Sequence, residues 1–319
     1  MGTMSTFQVY DELYNTVYVE KLGQMTEAFN GASNGTILLT SESKIGNFEH
    51  EAFIKELSSA SIVSHRDPLG TGAVSPVDMQ QVEKVNPKLN RRIGPITKTI
   101  DAFKKIGRTS EAFTVAAAEA AAMAQQEDQL NTALYALMGA TQSQAGMVVG
   151  TGATAISYND IAALMAKYGD QLGSIKLLVM HSSTYFSLMG TAISEKLWNV
   201  AGSTINNGAN PTMGIPTLVT DSVALAMTAG TGVLALTDNA ITVTDSESAT
   251  AELQRVLGKE NIEMLYQGET AFNIDVKGYS YDKTVGISPT NAQLADLTSW
   301  DMIVSNVKNT SSALLNVST

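Results

Sequence analysis

The stretch EAFTVAAAEAAAMAQQEDQLNTALYALM, residues 111–138, runs for 28 residues without proline or glycine and is dominated by Ala, Gln, Glu, Leu and Met. These are strong helix formers, and Thr109 or Ser110 just ahead supplies the hydroxyl that caps a first turn. One long helix is predicted, spanning about 42 Å at 1.5 Å per residue, more than the width of many small domains. Its halves differ in girth. Ala116, Ala117, Ala118, Ala120, Ala121, Ala122 and Ala124 keep the first half slim, so other elements can approach it closely, whereas Leu130, Leu134, Leu137 and Met138 thicken the second. In a chain of 319 residues, a helix of this length serves as a spine.

Upstream of it, residues 84–108 hold eight basic side chains (Lys84, Lys88, Arg91, Arg92, Lys98, Lys104, Lys105, Arg108) against Asp101. That segment is +7 and the rest of the chain −18, within a net charge of −11. Between Ser75 and Gly107 stand Pro76, Pro87 and Pro95 and only scattered apolar residues, too few for a core of their own. An elongated segment that lies on something else is expected. Lys84, Lys88, Arg91 and Arg92 are the candidate contacts of an arm docking on an acidic neighbouring subunit, where charge sets register and partner choice. A solvated basic loop is the plain alternative. A nucleic-acid strip is a third, but Phe103 is the lone aromatic and no recognition motif surrounds it.

Nearer the start, Phe7, Tyr10, Leu13, Tyr14, Val17, Tyr18, Leu22, Met25 and Phe29 fall at helical spacing, with Gly23 a possible interruption. The turn cluster Asn30–Gly35 and a short strand, Thr36–Thr40, follow. A short helix is expected over Glu49–Leu57, then a turn-rich loop at Asp67–Gly72.

Downstream, Gly139–Gly152 reads as a flexible passage. After it come a helix over Ile161–Tyr168, a strand over Lys176–Met180, a helix over Ser182–Trp198, a loop containing Asn206–Pro211, and strands at Gly214–Asp221, Gly232–Leu236 and Ala240–Thr244. Helices and strands mix without regular alternation, which favours an α+β arrangement. Strand character returns in Ile262–Tyr266 and Ala271–Tyr281, where Phe272, Ile274 and Val276 alternate with Asn273, Asp275 and Lys277 as in a sheet with one wet face. Ser288–Asn291 opens a last helix or turn toward Trp300, and Ala313–Val317 forms a final strand.

Composition removes whole classes of chemistry. With no cysteine there is no disulfide, thiolate metal site, iron–sulfur cluster or cysteine nucleophile, and only three histidines are present. Charged residues make up 16%, against roughly 25% in ordinary soluble domains, so much of the surface is neutral. Such a surface suits a protein covered by copies of itself. No apolar run is long enough to span a membrane and no signal peptide is seen. Gly2 with Thr6 fits the loose myristoylation pattern, which short sequences match by chance.

Candidate chemistry fails on context. Gly150-Thr151-Gly152-Ala153-Thr154-Ala155 imitates a dinucleotide fingerprint, but its leading strand is about three residues long and no second strand ending in an acid lies about 20 residues on. A linker rich in glycine is the better reading. His65-Arg66-Asp67 lacks the rest of a kinase signature. His181, beside Ser182 and Ser183, has no carboxylate placed by the sequence to orient it, and a helix cap accounts for the hydroxyls. His50 and His65 have no partner pattern for a metal. No catalytic, cofactor or metal residue is therefore predicted.

The strand Lys176–Met180, the run His181–Phe186, Gly214-Ile215-Pro216-Thr217-Leu218-Val219-Thr220-Asp221-Ser222 and Gly232–Leu236 together resemble the axial domain of tailed-phage major capsid proteins. The order of segments extends the likeness over nearly the whole chain. Arg91–Ile96 looks like the base of the family's extended loop, Glu111–Met138 like its spine helix and Asn273–Tyr281 like a peripheral-domain strand.

The resemblance implies the α+β Hong Kong 97-like capsid fold: an N-terminal arm (1–45), an extended loop region (46–108), the spine helix of the peripheral domain (109–150), an axial domain (151–258) and a return to the peripheral domain (259–319). It further implies a non-enzymatic subunit without cofactors, assembling into hexamers and pentamers of an icosahedral shell around double-stranded DNA. The partners it implies are copies of itself, scaffold, portal and decoration proteins, and DNA held without sequence-specific contacts, with no membrane. The expected location is the virion, assembled in the host cytoplasm. An encapsulin-type shell holding protein cargo is the alternative. A hydrolase or nucleotide enzyme on residues 150–258 is a remote one, and a surface-layer or filament protein lacks the signal peptide and heptads usual there.

Overall fold

Two long helices carry the architecture: α1 (Thr3–Ala32) and α2 (Ser110–Gln142). The computed structural model describes residues 3–55, 57, 62–99, 101, 110–194 and 214–318. Helix α2 extends past the expected end through Gly139, and α1 runs through Gly23 without a break. The slim alanine half of α2 does what its girth allows. Ala117, Ala118, Ala121 and Ala122 receive Tyr14 and Tyr18 from α1 and Tyr266 from the sheet below. Burying each tyrosine stabilises the seam by about 1.5–3 kcal/mol.

Beneath the helices lies a five-stranded sheet ordered β1-β9-β10-β3-β2, built from β1 (Ile37–Ser41), β2 (Phe48–Ile54), β3 (Gln81–Thr99), β9 (Ile241–Val256) and β10 (Glu263–Val276). β1 runs parallel to β9, and the other pairs are antiparallel. Asn30, at the end of α1, clips the β1 edge. Its side-chain amide donates to the Leu39 carbonyl and its Oδ1 accepts from the Leu39 N–H, each at 2.8 Å.

A six-stranded sheet contains, in order, β4 (Val148–Val149), β13 (Ser312–Val317), β8 (Gly230–Thr237), β5 (Ile175–His181) and β6 (Thr217–Thr220), with β7 (Ala226–Met227) paired to β8. One face, with Leu177, Val179, Leu234 and Leu236, joins the core formed by the thick half of α2 and the five-stranded sheet. The other, with Leu178, Met180, Val233 and Leu315, packs on α3 (Tyr158–Ala166), which Ser157 and Asp160 start with a capping box. Helix α4 (Ser182–Ser194) follows β5. The two-stranded pair β11 (Tyr279–Tyr281) and β12 (Trp300–Met302) brackets α5 (Asn291–Ala295).

Four expectations need correction. The helix expected over 49–57 is strand β2, because its residues find a partner in β3, with Phe48 opposite Pro87 and Ile54 opposite Gln81. The segment thought too poor in apolar residues for a core contributes β3, an interior strand whose Val85 and Leu89 are buried. The prolines that hid it occupy places a sheet tolerates. Pro87 sits where β3 changes partner from β2 to β10, and Gly94-Pro95 sits at the bulge where the register slips between Tyr266 and Gly268.

The flexible passage at 139–152 is instead helix, a 3-10 turn (Ala145–Met147) and β4. Lastly, β10 has no wet face at Asn273, which is 3% exposed. The crossing from β1 to β2 covers that side, with the Asn47 carbonyl accepting from the Lys88 N–H at 3.1 Å.

The expected helix end at Trp198, the Asn206–Pro211 loop, Phe103, Lys104, Lys105, Arg108 and Thr109 lie outside the described residues.

Candidate inter-subunit surface

On a strand, neighbouring side chains point to opposite faces, and β3 divides the four candidate cations accordingly. Arg91 faces α2. Its Nε donates to Asp128 Oδ2 at 2.7 Å, its terminal nitrogen reaches Asn291 Oδ1 at 3.1 Å, and its guanidinium lies 5.5 Å from the Phe272 ring centre. Lys88 points the other way, under the β1–β2 crossing, where Nζ meets Glu247 at 2.5 Å and the Lys44 carbonyl at 3.1 Å. Its side chain is only 5% exposed. Lys84 holds Asp275 at 2.5 Å and Glu51 at 3.7 Å. These three charges are spent inside the subunit, tying β3 to α2, β9 and β10.

Arg92 is different. It stands across the ladder from Glu269, exposed to solvent, and makes no ion pair among the described residues. Lys98, further along β3, is exposed as well. Of the four candidates, only Arg92 presents its charge outward.

The connection from β2 to β3 adds an apolar component that charge reading missed. Every residue from 62 to 80 is exposed. Leu69 (90%) and Val74 (87%) are as bare as side chains in an unfolded chain, and Ile62, Val63, Val77 and Met79 are exposed beside them. Isolated exposed apolar residues are ordinary, but six large ones on one segment make an exposed apolar surface. The sequence signal was there: six apolar residues among the turn formers of 62–80.

The remaining motifs resolve into structure. Gly150 and Gly152 take positive φ values of 76° and 77°. An added Cβ would lie 2.3 Å from the Asn316 carbonyl oxygen at Gly150 and 1.6 Å from that of Ala229 at Gly152. The glycines let the chain pass against β13 and the β7–β8 turn, so a backbone approach and no phosphate explains them.

Around His181 the sequence reading needs correcting, because the fold does bring up a carboxylate. Asp221 Oδ1 lies 3.9 Å from His181 Nε2 and accepts from Ser182 Oγ, while Ser183 Oγ lies 2.8 Å from Nδ1. That carboxylate is 79% exposed, so water screens its hold on the imidazole. The Ser183 N–H also bonds to Nδ1 at 3.2 Å, and the cluster stitches the start of α4 to the end of β6. Among the described residues no group of three or more acids and histidines is placed to hold a metal, and no helix is long and apolar enough to cross a membrane.

A family model described as Gp13-like, major capsid protein 13-like, matches residues 6–314. No curated protein matches the chain. Among solved structures, a chain from Microbacterium phage Oxtober96 aligns with a TM-score of 0.55 at 11% identity, covering 90% of each chain. One from Mycobacterium phage Cain gives 0.54 at 9% identity over 88% of each, and one from Mycobacterium phage Bobi gives 0.51 at 10% over 88% and 89%. At these identities the likeness is one of fold, and the fold is the Hong Kong 97 type expected from the order of segments. The family match spans all but the two ends of the sequence, and it settles the class: the chain belongs to the Gp13-like family of major capsid proteins, a structural subunit of a phage shell and not an enzyme.

Proposed function

We propose that this capsid subunit assembles into hexamers and pentamers of an icosahedral shell that encloses double-stranded DNA, with the exposed 62–80 segment as its principal reach onto a neighbouring copy. The single observation that carries this reading is that segment's bare apolar side chains, led by Leu69 and Val74. Exposed on a lone molecule, they are a liability; buried on a neighbour, each contributes about 1.5–3 kcal/mol to assembly. Arg92 supplies the outward charge that steers the approach, the role proposed at first for all four cations.

In this reading residues 46–80 serve as the extended loop. The five-stranded sheet with α1 and α2 forms the peripheral part, and the six-stranded sheet with α3 and α4 forms the axial part. Scaffold, portal and decoration proteins complete the list of proposed partners, with assembly in the host cytoplasm. A net charge of −11 suits a container wall, since packaged DNA needs a surface that does not grip it.

Negative-stain microscopy of the purified chain, with nucleic-acid and protein content measured on the particles, tests this. Closed shells capable of enclosing DNA are expected, and Leu69→Ser with Val74→Ser should abolish them while leaving the helix content unchanged. Shells filled with a foreign protein would favour the nanocompartment alternative. Normal shell yield from the double variant would remove the loop from its role.

A further inference from the structure

The seam that holds α1 contains one carboxylate with no cation beside it. Asp245, on β9, faces α2 beneath α1. Gln129 Nε2 donates to its Oδ1 at 2.5 Å and Gln125 Nε2 to the same oxygen at 3.4 Å. Gln125 Oε1 in turn accepts from the Tyr18 hydroxyl of α1. A single relay therefore crosses three elements, α1 to α2 to β9. Alongside it lies a cavity of about 230 Å³ lined by Tyr18, Leu22, Thr26, Leu39, Gln125 and Asp245.

We propose that this seam is a pH-responsive latch, in which protonation of Asp245 tightens α1 on α2 and ionisation loosens it. Asp245 is half-buried, and a carboxylate met only by neutral amides there loses part of its hydration without gaining a counter-charge, so its ionised form strains the seam more than its neutral form does. Burial pushes the Asp245 carboxyl up to about 6, with the hydrogen bonds from Gln129 and Gln125 acting the other way. On release, the neighbouring cavity gives solvent a route to the charge.

The groups around it leave Asp245 as the one that responds. From α1, burial and the Asp245 charge hold the Tyr18 hydroxyl far above its ordinary range, and Tyr14 is raised by burial too. On α2, Asp128 is turned toward Arg91. On β9, Glu247, which also lines the cavity, is paired with Lys88 of β3, and from β10 the lining residue is the uncharged Thr270, whose hydroxyl donates to the Glu247 carbonyl at 3.2 Å. After β1, Glu42 and Lys44 pair with each other at 3.0 Å. Among the described residues no cation lies within ion-pair distance of Asp245.

The absence of native cysteine makes the latch accessible to spin labels. Glu20 on α1 and Glu127 on α2 are both exposed, and Glu20→Cys with Glu127→Cys in the full chain places one label on each helix. Dilution with unlabelled protein removes signals between copies. Pulsed electron-spin distance measurements from pH 5 to pH 8 should give one narrow distribution at pH 5 that broadens to longer distances with a midpoint near pH 6. Adding Asp245→Asn should keep the distribution narrow throughout. A wild-type distribution unchanged between pH 5 and 8 overturns the proposal without the variant, and a variant that follows the wild-type course overturns it too.

Discussion

The Leu294 carbonyl oxygen lies where a Cβ on Gly139 would stand, 2.1 Å from it. Helix α2 and helix α5 thus meet backbone to backbone at that point, and the same oxygen accepts the Trp300 indole N–H at 2.8 Å, so it is not free to move aside. Gly139→Ala should push the two helices apart and cost about 3 kcal/mol, the upper range for overpacking a well-filled core. Urea denaturation of the subunit measures it, and a change below about 0.5 kcal/mol, the level of an ordinary surface substitution, would contradict the close approach.

Arg91 and Arg92 are adjacent in sequence and opposite in consequence. Arg91→Met removes the guanidinium that donates to Asp128 and leaves Asn291 Oδ1 only the Thr132 hydroxyl at 3.4 Å, and should lower subunit stability by about 1–2 kcal/mol. Arg92→Ala should leave stability within about 0.5 kcal/mol of the wild type and reduce the yield of assembled shells. Denaturation of the subunit and particle counting on the same preparations separate the two effects. Equal loss of stability in both variants would contradict the division of β3 into an inward and an outward face.

The glycines at 150 and 152 serve packing against Asn316 and Ala229. Gly152→Ala should lower the melting temperature by several degrees, because both the positive φ and the approach to the Ala229 carbonyl are lost. Adding a nicotinamide dinucleotide or ATP should produce no shift in the wild type. A concentration-dependent rise in melting temperature would restore the nucleotide reading that the glycine spacing invites.

Asp245 also gives stability a definite pH course. Its carboxyl is raised from the ordinary 3.8 to about 6, so between those values the folded chain holds a proton that the unfolded chain has released. Its contribution therefore falls as pH rises through that window and is level above it. Asp245→Asn should stabilise the subunit at pH 7 by up to about 3 kcal/mol, with the advantage shrinking toward zero near pH 4. Urea midpoints of both proteins across pH 4–8 check the sign; a variant less stable than wild type at pH 7 would contradict it.

Much of this architecture was legible because the signals were local. Helix α2 announces itself through an unbroken run of helix formers, and the Ala116–Ala124 stretch foretold that something would pack close, which Tyr14 and Tyr18 do. β3 was missed because Pro87 and Gly94-Pro95 argue against a strand unless the partner change and the bulge beside them are known. The basic cluster was visible, but its partners were not. Asp128, Glu247 and Asp275 are scattered over the later sequence, and only the fold brings them to Arg91, Lys88 and Lys84. Asp221 reaches His181 from 40 residues away by the same route. Gln125 and Gln129, four apart on one helix and both buried, meet Asp245 only because the fold brings β9 up to them.

Sedimentation velocity on the purified full chain is the most direct test of the proposal that a neighbouring copy covers the bare 62–80 segment. The expected result is a fast, narrow boundary from closed particles that collapses to single chains when Leu69 and Val74 are replaced by serine. A wild-type chain that sediments as a monomer at every concentration, with the 62–80 segment resisting protease, would contradict it.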